Sequence, residues 1–171
     1  MSEQDAIPLL KKDHAAVRQL FEQEEHVTRK DDSGKASIFN EIKAALEVHA
    51  TIEEEIFYPA VKEARPEHLK DEVREGYEEH KQIKSLLAQI SSITPADETY
   101  DVKIKVLKEN VEHHVKEEEG KMFSDAKKFV GKTRLLELGK ELEARKQQLE
   151  KNHTSKSALA NQSTKNIRSN H

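Results

Sequence analysis

Cysteine is absent from this sequence, which excludes disulfides, zinc ribbons and iron–sulfur clusters, all of which need sulfur ligands. Helix breakers are scarce, with five glycines and four prolines in 171 residues. No run approaches the roughly 20 apolar residues of a membrane span. The opening Met1-Ser2-Glu3-Gln4-Asp5 lacks the basic and apolar regions of a secretory signal. Nor does one charge dominate: 29 basic and 33 acidic residues leave −4, with both signs interspersed. Neither nucleic acid nor an anionic membrane is therefore favoured as a partner. The expectation is a cytoplasmic protein with no nucleic-acid or membrane partner.

What the chain does contain is Glu, Lys, Leu, Ala, Gln and Arg, the residues that lose least on entering a helix. Charged residues make up 36% and apolar ones 35%, as long amphipathic helices require. Apolar residues recur at helical spacing in four blocks. They run from about Pro8 to Lys30, Lys35 to Ala64, Pro66 to Ser92 and Asp97 to Val130. Asp31-Asp32-Ser33-Gly34 reads as a turn, Pro59 as a bend, and Ile93-Thr94-Pro95 and Gly131 as breaks. Connections this short force neighbouring helices antiparallel. The predicted fold is all-α, an up-down-up-down four-helix bundle over residues 1–131. Leu135, Leu138, Leu142 and Leu149 form a stripe on a further helix over 132–151, which caps the bundle or pairs with a second chain, making the protein a monomer or a homodimer. Residues 152–171, rich in Ser, Asn, Lys and Thr, read as a disordered tail.

Each of the four core stripes contains a histidine: His14, His49, His80 and His114. Glu53 and Glu118 follow His49 and His114 by four residues, one turn along the same face. Depth can be judged from spacing. His14 and His49 both lie ~23 Å from the turn that joins their helices, and His80 and His114 fall at comparable depth. The pattern also repeats. Asp13-His14 matches Glu79-His80 at an offset of 66, and His49 with Glu53-Glu54 and Tyr58 matches His114 with Glu118-Glu119 and Phe123 at 65. Two helix pairs thus form halves of a pseudo-twofold site.

One polar residue on an apolar stripe is usually a satisfied core group. Six at one depth are harder to explain, since two unpaired buried carboxylates would cost several kcal/mol each. Lys84, one turn from His80, is the nearest basic residue and could serve one carboxylate only. A pair of metal ions supplies the missing charge. His26, His68, His113, His153 and His171 read as solvated side chains, and Glu54 and Glu119 as parts of a solvated acidic face. Tyr77 either hydrogen-bonds near the site or is plain core. The residues three before the core histidines are Lys11, Leu46, Tyr77 and Val111, so none of these histidines sits in an ExxH motif, and HExxH is absent, which argues against a ferritin-like site and a zinc protease.

With these residues in place, the pattern H…HxxxE…H…HxxxE, filled by His14, His49, Glu53, His80, His114 and Glu118, resembles the HHE cation-binding branch of the hemerythrin family. The resemblance covers about residues 5–130. It implies a non-haem di-iron centre, with His14 and His49 on one iron, His80 and His114 on the other, and Glu53 and Glu118 bridging; Zn or Mn would be substitutes. Oxygen-carrying hemerythrins have a fifth histidine, in an HxxxH pair on the third helix. Here the positions flanking His80 are Gly76 and Lys84, so one iron lacks a ligand. Gly76 either leaves room beside that iron or lets two helices approach closely.

Two functions follow from the resemblance. One is binding of O2, or another diatomic such as NO, for sensing, storage or iron and oxygen buffering. The alternative is a di-iron redox enzyme acting on peroxide or nitric oxide. A third reading is a structural bundle whose polar core residues are incidental.

Overall fold

The computed structural model describes residues 4–65 and 67–168, with side chains described through Thr154. Among those residues the chain is helical and contains no strand. Helix α1 is Ala6–His26. Helix α2, Asp32–Ile52, passes through a π-helical segment, Glu53–Phe57, into α3, Tyr58–Glu63. Helix α4 is His68–Ser91. Helix α5, Tyr100–Glu117, passes through a second π segment, Glu118–Met122, into α6, Phe123–Phe129. Helix α7 is Lys132–Arg168. The two joined runs make five rods of these elements. No helix among the described residues is long and apolar enough to cross a membrane.

Local chemistry sets the boundaries. The Asp5 carboxylate accepts the Ile7 N–H at 2.9 Å, capping α1. Asp31 does the same for α2, accepting the Gly34 N–H at 2.8 Å. The stretch expected as a turn is therefore the N-cap and first turn of α2, because the aspartate that starts a turn can equally start a helix. Pro66, expected to open the third helix, lies outside the described residues; α4 begins at His68. Gly131 adopts φ +87°, the left-handed conformation that ends α6 and lets the chain turn into α7.

Contacts between neighbouring rods run in opposite senses around the bundle. Lys43 reaches Ser91 and Lys84 reaches Glu54; Lys103 reaches Gln89 while His114 meets His80. Likewise Lys108 pairs with Glu25 while Glu119 meets His14. Two apolar clusters fill the interior. Val17, Phe21, Ile42, Leu87, Leu107 and their neighbours occupy the end near the α1–α2 connection. Ile7, Leu10, Phe57, Tyr58, Leu69 and Phe123 occupy the other. The polar core residues lie between them.

Helix α7 caps the second cluster. Leu135, Leu138 and Leu142 are buried in it and Leu149 packs at its edge, so the Leu stripe is satisfied within the chain. Gly139 makes this docking close, since a Cβ there would lie 1.9 Å from the Gln4 carbonyl oxygen. Helix α7 is described through Arg168, over residues 152–168 of the expected tail. No glycine follows Gly139 and no proline follows Pro95, so Ser, Asn and Thr weaken the helix without stopping it. Residues 169–171, including His171, lie outside the described residues.

Candidate metal centre

Four helices deliver the six core residues to one buried point. His14, His49, Glu53, His80, His114 and Glu118 are each at most 5% exposed. The structure brings all six together. His14 Nε2 stands 3.0 Å from His49 Nε2, and His80 Nε2 stands 3.2 Å from His114 Nε2. Glu53 reaches across the halves, with Oε1 at 3.0 Å from His49 Nε2 and Oε2 at 3.2 Å from His80 Nε2. Glu118 Oε2 lies 3.2 Å from His14 Nε2 and 3.6 Å from His114 Nε2. Two overlapping donor groups result, His14–His49–Glu53–Glu118 and Glu53–His80–His114.

The outer ring nitrogens explain why every Nε2 points inward. Glu119 stands 2.8 Å from His14 Nδ1 and Glu54 stands 2.9 Å from His80 Nδ1. Glu79 lies 2.7 Å from His114 Nδ1, and Asp13 lies 3.5 Å from His49 Nδ1. A carboxylate beside Nδ1 accepts a hydrogen bond from that nitrogen and turns Nε2 inward, the usual arrangement of a metal-bound imidazole. Each outer carboxylate has its own cationic or imidazole partner. Lys84 lies 2.7 Å from Glu54, Lys146 lies 2.5 Å from Asp13, Arg18 lies 3.7 Å from Glu119 and His113 lies 3.3 Å from Glu79.

These contacts correct several expectations. Glu54 and Glu119 are not simply a solvated face, because the residue after each inward glutamate turns to the opposite half's histidine. Lys84 serves Glu54 rather than a core carboxylate. His113 is exposed as expected, yet its ring touches Glu79. His68 is half-exposed and meets Asp125 at 2.8 Å. Tyr77 donates its hydroxyl to the Glu54 carbonyl at 3.2 Å. The signal for the outer shell was present in the repeat: Asp13 and Glu79 precede a histidine, and Glu54 and Glu119 follow a core glutamate.

Both core glutamates lead π segments. Tyr58 N–H bonds to Glu53 O, and Phe123 N–H to Glu118 O, each five residues back. Pro59 does not cause this, since the second segment forms without a proline. Past each π segment an aromatic ring faces a histidine of the other helix pair. Tyr58 stacks on His80 at 5.4 Å and Phe123 on His14 at 5.8 Å. The Tyr58 hydroxyl lies 3.4 Å from His80 Nε2. It also decides what Gly76 does, because a Cβ at Gly76 would stand 2.7 Å from that oxygen. The space left by Gly76 holds a phenol, which neither open room nor close helix packing describes.

Charge in this core is dominated by mutual effects. Burial alone would discharge His49, yet the Glu53 carboxylate, with Asp13, keeps its pKa raised to about 10. His80 is likewise raised to about 9 against its burial, by Glu53 and Glu54. Burial opposes ionisation of Glu53, but His49 and His80 hold its carboxyl well below the usual range. Burial, then the charges of Glu118 and Glu53, push the Tyr58 phenol well above its ordinary pKa. Glu53 is thus held as a carboxylate by the charge of its histidine neighbours. None of the four oxygens of Glu53 and Glu118 has a well-directed hydrogen bond among the described residues. Cations coordinated by both carboxylates and the four Nε2 lone pairs would satisfy every one of these atoms, so the residues fit a metal pair.

Comparison with known proteins agrees with this chemistry. The model of the hemerythrin HHE cation binding domain matches residues 5–126. A protein of Nostoc sp. named DNA nickase is 32% identical over 125 residues, covering 72% of this chain and 33% of its own length. The chain therefore spans about a third of that relative. A crystal structure of a hemerythrin HHE cation binding domain-containing protein from Mycobacterium kansasii superposes with a TM-score of 0.76 at 21% identity, covering 90% of this chain and 91% of the other. At that identity the likeness concerns the fold.

Proposed function

Because the chain belongs to the hemerythrin HHE cation binding domain family, we propose that its core holds two iron ions, His14 and His49 on one, His80 and His114 on the other, Glu53 and Glu118 bridging. The observation that carries this reading is the orientation of the imidazoles, four Nε2 atoms turned inward while carboxylates occupy the Nδ1 side. Zn or Mn would fit the same donors. The protein's role is to bind O2 or another diatomic for sensing, storage or iron and oxygen buffering. Bound ferrous ions supply the electrons and the open position for that chemistry.

The chain's own residues divide the remaining work. Glu53 and Glu118 hold the two halves at a fixed separation. The apolar clusters on either side exclude water. Tyr58, kept neutral, offers a hydroxyl proton at 3.4 Å from His80 Nε2, beside the position where the fifth histidine is missing. That donor favours a second reading, a redox enzyme acting on peroxide or nitric oxide, because a phenol can supply a proton where imidazole ligation would block access. The DNA nicking named for the Nostoc relative belongs to a protein three times as long in proportion to the shared region, and the interspersed charges here do not call for it.

Protein made in iron-replete cells should contain two irons per chain and change its absorption between anaerobic and aerated samples. Purification without metal at full stability would overturn the reading in favour of a structural bundle. Steady consumption of peroxide would shift the assignment to the enzyme.

A further inference from the structure

Outside the core, His68, Glu72 and Asp125 form a second mixed donor group whose ligand atoms lie within 4.8 Å of one another. His68 opens α4 and its Nε2 stands 2.8 Å from Asp125 Oδ2 on α6; the Phe129 ring packs edge-on against the imidazole at 6.0 Å. A surface pair of this kind would ordinarily be no more than that. Glu72 sets it apart. It is 5% exposed, and neither carboxylate oxygen has a hydrogen-bond partner among the described residues. Lys121, itself mostly exposed, stands off at 3.4 Å from Oε1, a charge that can swing into water. Burial rises along the group, from half-exposed His68 through Asp125 to Glu72.

Glu72 also begins a narrow cleft of about 20 Å³ that ends at the core. Glu75, Glu79 and Glu117 line its sides, and Glu118 and His114 its inner end. His68, Glu72, Gly76 and His80 succeed one another every four residues along one face of α4, spanning ~18 Å. Gly76 is the rung without a side chain. Five glutamates line this cleft against one lysine, Lys121, a balance of charge that draws in cations.

We propose that His68, Glu72 and Asp125 form an outer site that takes a divalent transition-metal ion from solvent and passes it along the cleft to the core. The outer site stands on its own donors; the passage inward rests on the di-iron reading of the core. His68 and Asp125 capture the ion. Glu72, lacking hydrogen bonds, exchanges Lys121 for it, and the cleft glutamates carry it toward Glu118 and His114.

Two measurements test this, on full-length protein. Protein whose core already holds two irons is titrated with Mn2+, following the free-ion electron paramagnetic resonance signal. One further ion per chain should bind, with affinity about tenfold weaker or worse in His68→Ala and Glu72→Gln. Metal-free protein is then mixed anaerobically with Fe2+ and core filling followed by absorption. Both variants should fill roughly tenfold more slowly and reach the parent's final iron content, while His26→Ala fills at the parent's rate. Absence of a third ion in the parent overturns the outer site. A lowered melting temperature in His68→Ala with unchanged Mn2+ binding also overturns it, leaving a structural ion pair. Unchanged filling rates in both variants overturn the passage. A core that never takes two irons refutes the reading beneath the passage, and the Mn2+ titration of the metal-free chain against His68→Ala still decides the outer site.

Discussion

In the half of the centre built on α1 and α2, His14 lies face to face with Phe123; in the half built on α4 and α5, His80 lies face to face with Tyr58. The donors of the two halves match one for one, as do the carboxylates behind them. What differs is one hydroxyl and the source of the outermost charges. Lys146 of α7 anchors Asp13 in the first half, whereas exposed His113 backs Glu79 in the second. Under the proposed di-iron reading both halves offer matching donors, and the one phenol beside them lies on the Tyr58 side.

The comparison breaks most severely if the donors are not equivalent. His49→Ala and His114→Ala should each lower iron well below two per chain by metal analysis, and His113→Ala should leave it at the parent's level. Equal losses from His113→Ala and His114→Ala would mean the second half is not organised as the first. Deletion from Gly131 onward should come next in size. It removes Leu135, Leu138 and Leu142 from the core, at ~1.5–3 kcal/mol each, together with Lys146, and should leave little folded protein by thermal melting. Ending the chain after Lys151 keeps all four and should preserve both the melting curve and the iron.

Asp13→Asn and Glu79→Gln sharpen the comparison at the Nδ1 atoms. Each should weaken metal binding about 10–100-fold in a competitive chelator assay. Equal losses are expected, and an effect of one alone would show that the halves bind unequally. The hydroxyl is tested by exchange. Tyr58→Phe makes the halves alike and should keep two irons while changing the rate of reaction with O2 or peroxide; Phe123→Tyr should leave that rate unchanged. Gly76→Ala crowds the same oxygen and should destabilise the fold by about 1–3 kcal/mol in denaturant melts. The smallest effect is expected from Lys146→Ala, ~0–1 kcal/mol, because a partly exposed lysine only supports Asp13.

Much of this was legible beforehand. Helical periodicity placed His14, His49, His80 and His114 inside, and four-residue spacing placed Glu53 and Glu118 with them, because an inward face repeats reliably over such short distances. The outer carboxylates Glu54 and Glu119 were signalled by the repeat alone, since both sit at positions that face water on a regular α-helix. Only the π segments and the approach of a neighbouring helix turn them to a histidine. Tyr58 was hidden for a related reason: its contact with Gly76 joins α3 to α4, and no local spacing encodes it. The composition reading ends the last helix at Lys151 because Ser and Asn favour disorder, while periodicity alone sets no end there, since no glycine or proline follows.

The paired π segments also act as phase shifters within a continuous rod. Upstream of Glu53 and Glu118, α2 and α5 address one stripe to the metal donors. Downstream, one surplus residue has rotated the stripe by about 100°, so that Tyr58 and Phe123, and after them Val61 and Ala126, address the cluster beneath α7. A single rod therefore reads two different interiors in succession. Deleting the surplus residue from either segment would restore an unbroken α-helix and leave the residues beyond it in place, at the cost of the wide turn that opens at the core glutamate.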